Sequence, residues 1–188
     1  MKTMSVDFDT NIQQAVETWL HQVVIGLNLC PFAAKPASEG RVRFSVSHAV
    51  NETGLLADLE AELQQLDVTP VSELETTLVI VPDYLQDFYD YCQFLRWAES
   101  WLKRNGWRGI YQVASFHPNY CFAGAEPEDA ENLTNRSPYP ILHLIREESL
   151  AKALQFFPDI DEVPEKNKIK VASLSHSEIK LLFPYLFG

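Results

Sequence analysis

Basic side chains are scarce in this sequence: 15 Lys and Arg stand against 26 Asp and Glu, a formal net charge of −11 over 188 residues. Nucleic acid is thereby disfavoured as a partner, because following a phosphate backbone takes a basic patch. The groups Arg41/Arg43, Lys103/Arg104/Arg108 and Lys166/Lys168/Lys170 are short and separated by acids. Cysteine is equally sparse. Cys30, Cys92 and Cys121 are an odd number at wide spacings, neither a disulfide framework nor a zinc pattern, and read as free thiols in a reducing cytoplasm. No window approaches the roughly 20 apolar residues of a membrane span. The first nine residues lack the apolar core of a signal peptide. A cytoplasmic protein with no membrane association is expected. No motif of known catalytic or cofactor mechanism occurs, so the sequence indicates no metal and leaves the cofactor and the reaction unnamed.

What the chain does have is a hydrophobic fraction of 46%, enough for one well-cored domain. The reading is a single α/β domain over residues 1–188, with residues 1–9 a loose N-terminal segment. Thr10 and Gln13 read as a capping box that opens an amphipathic helix carrying Ile12, Val16, Trp19, Leu20, Val23, Val24 and Leu27. That helix should stop near Asn28-Leu29-Cys30-Pro31. From Arg41 to His48 apolar and polar residues alternate, which predicts a strand with Arg41, Arg43, Ser45 and Ser47 on an exposed face. His48 falls on the apolar face and reads as a core histidine. Helices are expected over about 53–66 and 85–105, the latter stopped by Gly106, with strands at 76–81, 110–116 and 141–146. A helix at 147–157, an acidic stretch at 158–165 and a second capping box at Ser175 and Glu178 follow. The closing apolar run of Ile179, Leu181, Leu182, Phe183, Tyr185, Leu186 and Phe187 must be buried, on its own core or in a homodimer.

Two strand-helix-strand units in succession predict a mixed, mostly parallel sheet of about four strands covered by helices, its strand order undetermined. The fourth strand follows a long loop without a helix, which favours antiparallel pairing beside the third. Ligands of open α/β sheets lie beyond the carboxyl ends of the parallel strands. That rule places His48, Asp83 and His117 along one edge, and an antiparallel fourth strand brings Asn135, Arg136 and Tyr139 beside them. The loop from Ser115 to Pro140 is long for a compact domain, and such loops are usually functional or disordered. An expected site follows for a small anionic molecule: His117 as acid or base, Arg136 as anion clamp, and Asn135, Tyr139, Asp83 and His48 as binding groups. Cys30 or Cys121 would be the nucleophile. Against this stand plainer roles, with His117 satisfying a loop carbonyl, Arg136 paired to a nearby acid, and Asn132, Thr134 and Asn135 capping turns. The competing expectation is a non-catalytic interaction module.

Three stretches carry a resemblance: Gly26-Leu27-Asn28-Leu29-Cys30-Pro31-Phe32-Ala33, Ser115-Phe116-His117-Pro118-Asn119-Tyr120-Cys121-Phe122-Ala123 and Asn132-Leu133-Thr134-Asn135-Arg136-Ser137-Pro138-Tyr139-Pro140. Together they resemble the bacterial family catalogued as domain of unknown function 1415, over most of the chain. The resemblance implies a small soluble bacterial protein of one domain. It brings no reaction, cofactor or catalytic residue, but it groups Cys30-Pro31 with the His117 and Arg136 segments, as a shared site or a shared scaffold would.

Overall fold

The computed structural model describes residues 2–157 and 160–187, with the backbone alone for residues 2–7. Among these are four strands and seven α-helices: α1 (Lys2–Trp19), α2 (Ala34–Ser38), β1 (Val42–Val46), α3 (Glu52–Val68), β2 (Thr76–Ile80), α4 (Phe88–Arg104), β3 (Tyr111–Phe116), β4 (Ile141–Arg146), α5 (Glu147–Leu154), α6 (Val163–Ala172) and α7 (His176–Leu182). No helix among the described residues is long and apolar enough to cross a membrane. The expected start at Thr10 is corrected: residues 2–9, read as loose, belong to α1, and Asp9 is tied to His48 at 2.7 Å. Met1 lies outside the described residues, as do Pro158 and Asp159 of the acidic stretch. A π-helical turn, Leu20–Ile25, extends α1 and keeps Leu20, Val23 and Val24 buried. The chain leaves it through Asn28, whose φ of 56° is one that asparagine tolerates.

The open sheet has the order β1-β2-β4-β3. Only β1 and β2 form a parallel pair, and β4 is antiparallel to both of its neighbours. The expectation of a mostly parallel sheet is therefore corrected, although β3 does run in the direction of β1 and β2. The reason is the return of the chain after β3 without a crossover α-helix, with a short 3-10 turn at Ala130–Thr134 in its place. This return inserts β4 between β2 and β3, which turns one expected parallel ladder into two antiparallel ones.

Both faces of the sheet are covered. On one, Val79, Leu142 and Leu144 meet Leu55, Leu59 and Leu63 of α3 and Tyr91, Phe94 and Ala98 of α4. On the other, Leu78, Ile80 and Ile141 meet Ile12, Val16 and Trp19 of α1, together with Val171 and Phe183 from the carboxyl end. The apolar tail thus caps the core of its own chain, with Phe183 fully buried. The β1 face read as exposed is so at Arg43, while α3 covers Ser45 and Ser47. Buried Glu62 accepts from Arg43 and from Ser45 Oγ at 2.8 Å each, and Ser47 donates to Asp58 at 2.6 Å. A buried carboxylate survives there because it is paired and hydrogen-bonded.

Asp87 caps α4 through the N–H groups of Tyr89 and Asp90, and Gly106, at φ 84°, takes the left-handed turn after its last residues. One buried side chain of α4 closes the sheet edge. The Tyr91 hydroxyl donates to the Ile141 carbonyl at 2.6 Å and accepts from the Phe116 N–H at 3.1 Å. Tyr91→Phe should lower unfolding free energy by about 1–3 kcal/mol in urea titration, because two buried backbone groups lose their partner. An unchanged midpoint would remove the hydroxyl from this role.

Candidate functional site

The register puts Val46, Ile80, Ile141 and Phe116 in one row across all four strands. Beyond that row lie the ends of β1, β2 and β3 and the approach to β4, so His48, Asp83, His117 and Tyr139 do emerge at one edge of the sheet. Two of them touch: His48 Nδ1 is 2.7 Å from Asp83 Oδ2, while its Nε2 is 2.7 Å from Asp9 Oδ1 of α1. His48 is therefore an exposed, ion-paired group, not the core histidine its strand pattern suggested. Hydrogen bonds to Asp83 and then to Asp9 hold its pKa above the ordinary histidine value.

His117 turns the other way. Its ring is fully buried, 5.0 Å from Tyr91 and 5.2 Å from Phe88 between ring centroids. Nδ1 accepts from the Asn119 N–H at 2.9 Å, so Nε2 carries the proton and donates to the Leu85 carbonyl at 3.0 Å. Leu85 has φ 59°, a strained value for a bulky residue, and the imidazole fastens that turn to the end of β3. Burial lowers the pKa of His117. With both ring nitrogens bonded to backbone, it has no lone pair or proton free for a substrate or for a cysteine.

The neighbouring loop bonds to itself in the same way. Asn135 accepts the His117 N–H at its carbonyl and donates from Nδ2 to the Ser115 carbonyl, each near 3 Å. Arg136 is half-buried, and its guanidinium donates to the carbonyls of Tyr120 and Pro127 at 3.3 and 2.6 Å. Among the described residues it has no ion pair, so it is neither bound to the nearby acids nor aimed with His117 into one cleft. Asn132, fully buried, accepts from the Phe122 N–H and donates to the Glu126 carbonyl. Cys121 Sγ lies 3.3 Å from the Ala125 carbonyl. Burial pushes the Cys30 thiol up, the reverse of what a nucleophile needs.

A cleft of about 520 Å³ opens elsewhere at the same edge. One wall is a stripe of α1 and its π-helical extension: Asn11, Gln14, Ala15, Thr18 and Gln22. The facing wall is Pro138 and Tyr139, with Leu181, Leu182, Pro184 and Tyr185 of the tail. Of the residues picked out from the sequence as site candidates, Tyr139 alone lines it. The wall is anchored from behind, where the Arg136 carbonyl accepts from Trp19 Nε1 at 2.9 Å and from the Tyr185 hydroxyl at 3.2 Å. Among the described residues, no Lys, Arg, His, Asp or Glu lines the cleft. The α1 stripe escaped sequence reasoning, although uncharged polar residues at 11, 14, 18 and 22 share one helical face and could have marked it. Among the described residues, no three His, Cys, Asp or Glu are placed to hold a metal ion.

These features describe a mixed α/β protein whose long loop bonds largely to itself and whose cleft is walled by its first helix and its tail. The chain belongs to the family described as "Protein of unknown function (DUF1415)", which it matches over residues 11–181. The match takes in the Cys30, His117 and Arg136 segments together. No curated protein and no solved structure matches the chain significantly.

Two enclosed imidazoles, fully buried His117 and partly buried His143, bear on the acid limit of the fold. His143 of β4 bonds Thr76 Oγ1 through Nε2 at 2.7 Å, and burial lowers its pKa to about 4. Like His117 it stays neutral when folded, so as pH falls below the ordinary histidine value the unfolded chain gains protons that the folded chain does not. The contribution of these two rings should be full above about pH 6.5 and decline toward pH 4, by up to roughly 3 kcal/mol for His143. Urea midpoints measured across that window should fall, and His143→Gln should flatten the fall. A flat wild-type profile would contradict a neutral buried ring.

Proposed function

We propose that this protein binds a small, uncharged, partly apolar molecule in the cleft at the carboxyl edge of the sheet, between α1, the Pro138-Tyr139 turn and the tail. The observation that carries this reading is the lining. A concave site of about 520 Å³ combines aromatic and aliphatic surface with three carboxamides and a hydroxyl on one helical face. Ligand sites have this make-up, apolar walls with a few convergent polar groups. Asn11, Gln14 and Gln22 offer paired donors and acceptors suited to amide, carbonyl or hydroxyl groups of a ligand. Tyr139 and Tyr185 offer ring faces.

An anionic ligand, the expectation from Arg136, finds no cation among the described residues of this lining. The Arg136 guanidinium is turned to the Tyr120 and Pro127 carbonyls, and burial lowers its pKa. Binding without proton chemistry fits best, since none of His117, Cys30 and Cys121 lines the cleft. A second reading, self-association through the tail, draws on Leu181 and Phe187, which are 74% and 47% exposed. Leu181 stands on the cleft wall, so a bound small molecule and a second copy would compete for it.

A thermal-shift screen separates these readings. Panels of neutral amides, glycosides and heteroaromatics should raise the unfolding midpoint, by about 2.7 kcal/mol of stability at a concentration 100 times Kd. Simple carboxylates and phosphates should not. Tyr139→Ala and Gln14→Ala should each abolish the shift. Stabilisation by anions alone, unaffected by both substitutions, would overturn the assignment.

A further inference from the structure

His48 is gripped from both sides. Its ring is faced by Asp9 from α1 and by Asp83 from the turn after β2, each carboxylate 2.7 Å from a different ring nitrogen. Tyr84, the next residue along that turn, is influenced by Glu52 and Asp90 instead. A neutral imidazole has one N–H and one lone pair. Facing two carboxylates, it could donate to one and would present a lone pair to the other. Two carboxylates at this distance are both satisfied when both nitrogens carry protons, which makes the arrangement one suited to the imidazolium.

The two arms are not equally secured. Asp83 belongs to a turn that Gln86 Nε2 fastens by donating to the carbonyls of Val81, Pro82 and Tyr84. Asp9 precedes the first buried side chain described in α1, which is Ile12, and its neighbour Phe8 is 54% exposed. When the ring proton leaves, the Asp9 arm has the weaker hold. It is also the arm next to the cleft, since Asn11 lies two residues further along the same helix.

We propose that His48 is a proton-operated clasp: as imidazolium it ties the amino-terminal half of α1 to the carboxyl edge of the sheet, and loss of its proton frees that half of the helix. The linkage has a definite sign. A histidine with a raised folded-state pKa contributes its stabilisation fully below the ordinary value of about 6.5, and loses it as pH rises through the raised value. This is opposite to His117 and His143, so the clasp loosens on the alkaline side, where those two rings remain neutral. The inference does not depend on the cleft having a ligand.

The experiment follows the His48 ring protons by NMR while hydrogen exchange, corrected for its intrinsic pH dependence, reports protection of the backbone amides of residues 9–13. His48 should titrate above an ordinary histidine. Protection of those amides should fall about two- to fivefold across that titration, as for an exposed ion pair. In Asp9→Asn the helix protection should become independent of the titration, while His48, still facing Asp83, keeps a raised midpoint. His48→Gln should hold the released level at every pH. A His48 midpoint at or below the ordinary value, or wild-type protection that does not change through the titration, would overturn the clasp.

Discussion

The insertion of β4 between β2 and β3 is the constraint on which the rest of the structure depends. The chain must leave β3, cross beyond the sheet, and return in the opposite direction to a slot flanked by two strands already pointing outward. In that register Ile141 lies flush with Ile80 on one side and Phe116 on the other, and the Tyr91 hydroxyl bonds the backbones of Ile141 and Phe116 together. The ends of β1, β2 and β3 consequently open on one edge with the start of β4. His48 can then reach Asp83, His117 can reach the Leu85 turn, and the Pro138-Tyr139 turn can face α1.

The price of that insertion is a connection full of buried polar groups, and the loop's unusual composition answers it. Backbone polar groups removed from water must find partners. The imidazole of His117 and the side chains of Asn132, Asn135, Arg136 and Ser137 each bond backbone atoms in or around the loop. Residue types that usually signal catalysis here hold an irregular segment in place. The cleft shows the complementary pattern, with side chains of little catalytic repute, including the carboxamides of Asn11, Gln14 and Gln22, left facing a concavity.

Much of the architecture was legible in the sequence because it rests on local patterns. Strand alternation and helical spacing located the four strands, and the capping box at Ser175 and Glu178 formed as its residues suggest. The lack of a crossover α-helix in the loop correctly implied an antiparallel fourth strand beside β3. The pairing of β4 with β2 as well was not legible, since strand order follows from how the chain packs and no local residue encodes it. For the site, periodicity brought His48, Asp83, His117 and Tyr139 to one edge but could not tell inward from outward. His117 turned to Tyr91, and His48, on a nominally apolar face, lies past the end of β1 and meets water and two carboxylates. Asp9 was passed over because its partner is 39 residues away.

The central claim is that the polar loop is scaffold and that the cleft beside it is where a ligand goes. Backbone amide mapping by NMR, with a neutral compound that stabilises the protein titrated into labelled chain, tests it most directly. Shifts should concentrate in residues 11–22, at Tyr139 and in residues 181–186, with those of 117–121 changing little. Shifts centred on His117, Cys121 and Arg136, with α1 unaffected, would contradict the account.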